Sequence, residues 1–174
     1  EKDAIRYLGT QRRFIKNESP VLGPLGVNFQ DFGSSDHYYK GAWILHTLRH
    51  TLGDDPLFFG MLRSFYQDHQ QSIVGTEQVV RYFSKYSKRN LQPFFDQYLK
   101  HPDVPVLEVR EAEEGMEYRW RTNVATFNYP VIVTNGERSY RLEATKEWRF
   151  KRRLSVHKLE IDRSRFLAEL EVVD

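Results

Sequence analysis

The chain has 174 residues, 40% of them hydrophobic and 14% aromatic, which excludes a disordered, collagen-like or low-complexity polymer and leaves enough apolar side chain for one ordinary domain or two small ones. Its 26 Lys and Arg against 24 Asp and Glu give a net charge of +2, too small to point to nucleic acid or an anionic membrane. With no cysteine, disulfides, thiolate nucleophiles and thiolate metal ligands are excluded, and the compartment stays open.

In chain order, Ala4, Ile5, Leu8, Phe14 and Ile15 run in a helical pattern directly from Glu1, so the chain reads as a piece cut from something longer. Neither a membrane span nor a signal peptide is expected. Residues 17–35 hold Pro20, Gly23, Pro24, Gly26, Gly33 and the Ser34-Ser35 pair, which predicts a long loop that either covers or lines something or merely connects two helices. From Tyr38 to Leu52, Ile44, Leu48 and Leu52 share a helical face, and Gly53 stands where a left-handed cap is usual. Asp54, Asp55 and Pro56 open a further helix with Phe58, Met61, Leu62 and Phe65 on one side. Thr76 is the expected N-cap of a helix carrying Val79, Val80, Phe83 and Tyr86, and Asn90 the cap of a short one through Phe94, Phe95, Tyr98 and Leu99.

At Pro102-Asp103-Val104-Pro105 the apolar period changes from about 3.6 to 2, which sets the expected boundary between a helical domain, 1–104, and a strand domain, 105–174. Leu107 and Val109, a turn at Glu113-Glu114-Gly115, then Tyr118 and Trp120 predict one hairpin. Val131-Ile132-Val133, Asn135-Gly136, then Tyr140 and Leu142 predict a second, closed by a type I′ turn. Trp148 with Phe150, Leu159 with Ile161, and the run from Phe166 to Val172 complete about seven antiparallel strands, the makings of a small β-sandwich. The fold class is therefore α+β.

Several residues invite chemistry. His46 and His50 stand four apart, as in the zinc motif H-E-x-x-H, but position 47 is Thr and no Glu is placed as a third ligand, so the pair is read as polar positions flanking the apolar face, with no metal. Lys146, Arg149, Lys151, Arg152 and Arg153 are interleaved with Trp148 and Phe150, a pattern that binds single-stranded nucleic acid. It also describes a strand with aromatics inward and arginines outward, and because residues 105–174 carry equal numbers of basic and acidic residues, the solvated face is preferred and no nucleic-acid partner is expected. Ser34, Ser35 and His37 lack a nucleophile elbow and an orienting Asp, so a serine hydrolase is set aside. Tyr38, at a helix start beside the Gly/Pro loop, is able to donate a hydrogen bond to a developing oxyanion; aromatic packing with Asp36 as N-cap accounts for the same letters.

The set Tyr38-Tyr39-Lys40-Gly41-Ala42-Trp43, Leu45-His46-x-Leu48-Arg49, Leu52-Gly53-Asp54 and Phe58 resembles the gluzincin zinc aminopeptidases, the family of aminopeptidase N and the puromycin-sensitive aminopeptidase. Thr76-Glu77, Leu91 through Phe94-Phe95-Asp96-Gln97-Tyr98, and Pro102 through Pro105-Val106-Leu107 agree with it. The resemblance implies the helical end of a thermolysin-like catalytic domain followed by a β-sandwich, in a zinc enzyme that removes N-terminal residues from peptides. It makes Tyr38, the first residue of Tyr-x-Lys-Gly, the catalytic donor to the tetrahedral intermediate, and assigns nothing to Tyr39 at the x position. Lys40 and Asp36 are secondary candidates, read as helix capping and orientation of the Tyr38 loop in preference to substrate contact. The family's H-E-x-x-H with its downstream Glu and its Gly-x-Met-Glu-Asn segment are not among these letters. The zinc is thus expected in a parent enzyme and not on this chain, which would pack against an upstream catalytic subdomain and be inactive alone. The alternative is a non-enzymatic, peptidase-like interaction module.

Overall fold

The computed structural model describes residues 2–24, 26 and 34–174. Glu1 and positions 25 and 27–33 of the expected loop, Gly33 among them, lie outside the described residues. Among the described residues five helices come first: α1 (Lys2–Arg12), α2 (Asp36–Leu52), α3 (Asp55–His69), α4 (Thr76–Ser87) and α5 (Gln92–Lys100). In α1 the expected apolar stripe does not form a buried face: Ile5 is exposed, Leu8 is half-buried, and Phe14 and Ile15 lie beyond the helix end. Gly53 ends α2 as expected, at φ 68°, with its N–H donating to the Arg49 carbonyl. Asp54 caps α3 by accepting the Leu57 amide at 2.9 Å.

Two expected caps shift. Thr76 is the first residue inside α4, and the extended Gly75 takes the cap, its carbonyl accepting the amides of Gln78 and Val79. Asn90 lies one residue before the cap position of α5 yet serves the same purpose, its Oδ1 accepting the Gln92 amide at 3.1 Å. The faces that meet are Ile44, Leu48 and Leu52 of α2, Phe58 and Met61 of α3, Val80 and Phe83 of α4, and Phe94, Phe95 and Tyr98 of α5, all buried.

After Lys100 the chain turns to strands: β1 (Val106–Ala112), β2 (Gly115–Arg121), β3 (Pro130–Thr134), β4 (Ser139–Glu143), β5 (Arg149–Arg152), β6 (Glu160–Ile161) and β7 (Glu169–Val172). They form two sheets, ordered β5-β2-β1-β7 and β4-β3-β6. The alternation read from the sequence is real, with Leu107, Val109, Met116, Tyr118, Trp120, Val131, Val133 and Leu142 all buried. One expectation fails: β7 pairs with β1 in parallel, Val106 opposite Glu169 and Val109 opposite Val172, because β7 arrives by a crossover and not a hairpin.

The Glu113-Glu114 turn is as tight as expected, with Ala112 paired to Gly115. Gly115 is required there, since a Cβ would sit 2.1 Å from the Lys151 carbonyl of β5. The second hairpin is not closed by a two-residue turn, because its last pair is Thr134 with Ser139. The Asn135 side chain instead accepts the amides of Glu137 and Arg138 at 3.2 and 2.9 Å, an Asx turn that stabilises a four-residue loop.

The buried side chains of helices and sheets make one continuous core. Tyr129 accepts the Phe94 amide at 3.1 Å and donates to the Asn90 carbonyl at 2.8 Å. Tyr98 donates to the Leu167 carbonyl at 2.8 Å. The fully buried Gln97 donates to the Asp103 carbonyl and accepts the amides of Asn123 and Val124, stitching α5 to the β2–β3 connection.

Candidate active site

The first turn of α2 separates its side chains by helical period. Residues four apart share a face, and a residue midway between them points to the opposite one. Asp36 and Lys40 are each 0% exposed, whereas Tyr38 is 59% exposed. The amides of Tyr38 and Tyr39 donate to the Ser35 carbonyl at 3.0 and 3.2 Å, which starts the helix, while Ser35 supplies no side-chain cap.

Asp36 is not the N-cap expected from the sequence. It is the first helical residue, and its carboxylate accepts the backbone amides of Lys16 and Asn17, both at 2.8 Å. Asn17 has φ 55°, a left-handed kink that lets successive amides converge on the two oxygens. Lys40 sends its ammonium to the Pro102 carbonyl at 2.5 Å and the His101 carbonyl at 3.4 Å. Burial pushes the Lys40 ammonium below the ordinary lysine range, and the charges of Asp36 and Asp103 offset part of that.

Around Tyr38 the aromatic rings are close. The His37 ring centroid lies 4.1 Å from that of Tyr38, and its Nδ1 is 3.1 Å from the Ser34 carbonyl. Tyr39 stacks on Phe14 at 4.8 Å, so its ring is committed to packing. A phenol O–H on an exposed ring, carried by a helix start whose neighbours are buried and bonded, is a competent donor to an anionic oxygen.

The paired histidines sit elsewhere on α2. His46 Nε2 lies 2.9 Å from the Ser164 carbonyl, and the two imidazoles meet edge to face at 4.6 Å. Burial holds both below the ordinary imidazole range, His50 down to about 4. Among the described residues no group of three or more His, Asp or Glu side chains is arranged to hold a metal. The described side chains do not make up a zinc donor set.

In the basic run, the expected inward aromatics are not found. Trp148 lies on the outer side, between the guanidinium groups of Arg110 at 4.3 Å and Arg119 at 4.4 Å, and Phe150 is exposed on β5. Those arginines are engaged by Glu117 and Glu108, so the surface is a mixed-charge network. Sequence reasoning missed a pocket of about 640 Å³ lined by Leu22, Gly23, Val80, Arg81, Phe95 and Leu99. Its signal was the Gly/Pro stretch itself, whose Leu22 and Gly23 line the pocket, with Leu22 39% exposed.

No family model matches the chain. It is 28% identical over 85 residues, 49% of its length, to aminopeptidase N of Lactococcus lactis subsp. lactis, and that match spans 10% of the relative. Its fold is similar to the crystal structure of Legionella pneumophila aminopeptidase A in complex with aspartic acid, with TM-score 0.66, 11% identity, 98% of this chain covered and 23% of that one. The sequence match supports a relationship to aminopeptidases, and the structural match shows the fold. The chain spans a small part of the length of each.

Proposed function

We propose that this chain is the portion of a zinc-dependent aminopeptidase that carries its oxyanion-stabilising tyrosine, Tyr38, with 1–104 completing the catalytic domain and 105–174 forming the β-sandwich domain that shares its core. The observation that carries the reading is the exposed phenol of Tyr38 between two fully buried charged residues of the same helix turn. As a peptide carbonyl is attacked, its oxygen gains charge, and a fixed phenol O–H stabilises that charge more than it stabilises the ground-state carbonyl. On this reading the ion and its ligands come from another segment of the enzyme; among the described residues no three His, Asp or Glu side chains are grouped to hold one.

The test is Tyr38→Phe in the longer enzyme, which removes one hydroxyl and almost no volume. Loss of one such donor costs roughly 2.7–4 kcal/mol, so kcat falls by about 10² to 10³ while KM and metal content hold. Tyr39→Phe is the control, because its ring packs on Phe14 in either form. A Tyr38→Phe enzyme within about twofold of the parent, or a damaging Tyr39→Phe, refutes the assignment. A longer protein without peptidase activity favours an interaction module instead.

A further inference from the structure

We infer that Asp36 and Lys40 are positioning residues for Tyr38: two buried charges of opposite sign that lock the first turn of α2 and fix where the phenol points. The inference rests on Tyr38 being the oxyanion donor proposed above. The first turn of a helix lacks internal partners and frays, and here the cap residue gives no side-chain bond. Ser34 Oγ accepts the Asp36 amide at 3.3 Å, and the longer-range anchors are on the inner face of the turn. Asp36 ties it to the backbone at 16–17 with two bonds of 2.8 Å, and Lys40 to the backbone at 101–102, where α5 gives way to the strands. The anchors come from segments on either side of α2 in the sequence, so the turn is fixed in both translation and rotation.

An apolar pair would bury the same face with less desolvation, as removing a lysine ammonium from water is costly. Apolar contacts, however, slide, whereas bonds from an ammonium to two carbonyls and from a carboxylate to two amides define a distance. A donor displaced by about 1 Å loses on the order of a hundredfold in rate, so a catalytic phenol gains from such a mount. The segment at 101–102 also joins the helical part to β1, which makes Lys40 the link between the sheets and the orientation of Tyr38.

The test is a double-mutant cycle in the longer enzyme, joined to a spectroscopic readout on this chain. Lys40→Met keeps the stem and removes the charge. Asp36→Asn keeps one carbonyl oxygen, loses the other, and serves where Lys40→Met does not fold. In the parent background Lys40→Met lowers kcat by about 10-fold to 100-fold and Asp36→Asn by about 3-fold to 10-fold, with KM within about twofold. In the Tyr38→Phe background the same substitutions change the residual kcat by less than about twofold, because there is no hydroxyl left to misplace. On this chain, 3-fluorotyrosine placed at position 38 gives one narrow fluorine resonance in the parent and a broadened or split one in either variant. Equal losses in both backgrounds, or an unchanged fluorine signal in folded variants, overturn the positioning role. If Tyr38→Phe itself costs less than about twofold, the catalytic reading falls first and takes this one with it. If Tyr38→Phe is damaging and the cycle is additive, only this inference fails.

Discussion

Acidification should destabilise this protein through His50, and the size of the effect follows from where α2 puts the ring. His50 is half-buried between the His46 imidazole at 4.6 Å and the Phe166 ring at 6.2 Å, with Arg49, Arg165 and Asp55 as its charged neighbours. Burial is the main reason its protonation is held down to about 4, and the nearby cations add to it. In the unfolded chain the same imidazole takes a proton near its ordinary 6.5. Between those values the unfolded state binds more protons than the folded one, so stability is full above about pH 6.5 and is lost as the pH falls toward 4. At full value the gap corresponds to about 3 kcal/mol, and because the ring is partly open to solvent, screening reduces it to about 1–2 kcal/mol. Urea unfolding of the parent and of His50→Gln at a series of pH values isolates the contribution, since the other titrating groups are common to both. The parent should lose about 1–2 kcal/mol more than the variant between about pH 7 and pH 4.5, with equal m-values. Parallel stability curves would show that the folded state accommodates the imidazolium and that the packing argument is wrong.

Two further outcomes are expected. Gln97→Leu keeps the volume but strands the Asp103 carbonyl and the Asn123 and Val124 amides; the cost should be about 2–4 kcal/mol and the midpoint drop about 5–15 °C in a thermal melt, and a shift under about 2 °C would mean water replaces the side chain. This chain alone, dialysed against zinc and rinsed, should retain well under about 0.2 ion per chain and should not hydrolyse aminoacyl anilides; stoichiometric retention with turnover would contradict the donor-set argument.

The elements were legible because their signals are local. Gly53 and Asp54 each fix a helix end through one residue's local preference, and the change of apolar period at 102–105 marks where helices give way to strands, between α5 and β1. What was not legible depends on partners far along the chain. Asp36 reads as a cap because capping is what an Asp before a helix does locally; that it instead accepts amides 19 and 20 positions away is a tertiary fact. The parallel pairing of β7 is of the same kind, as alternation specifies a strand and not its neighbour. Trp148 was misplaced for a related reason: two arginines from other strands hold it on the outer side of the sheet, and neither adjoins it in sequence. At the candidate site, the letters of the motif single out Tyr38 as a candidate, but the burial of Asp36 and Lys40 on either side of it required the packed helix.

The pairing of β1 with β7 has a consequence for assembly. β1 has β2 as a hairpin partner within a few residues, but its other edge stays open until a strand about 60 residues later arrives. Arg12 repeats the pattern over a longer span, donating to the carbonyls of Arg163 and Phe166, 151 and 154 positions on, while its guanidinium lies 5.1 Å from the Trp43 ring. Loop closure over such spans is slow compared with helix or hairpin formation. The helices and the first hairpins are therefore expected to collapse while one edge of β1 is bare, with the 163–172 segment docking onto it later. That bare edge is the stretch a chaperone or a second nascent chain would meet first.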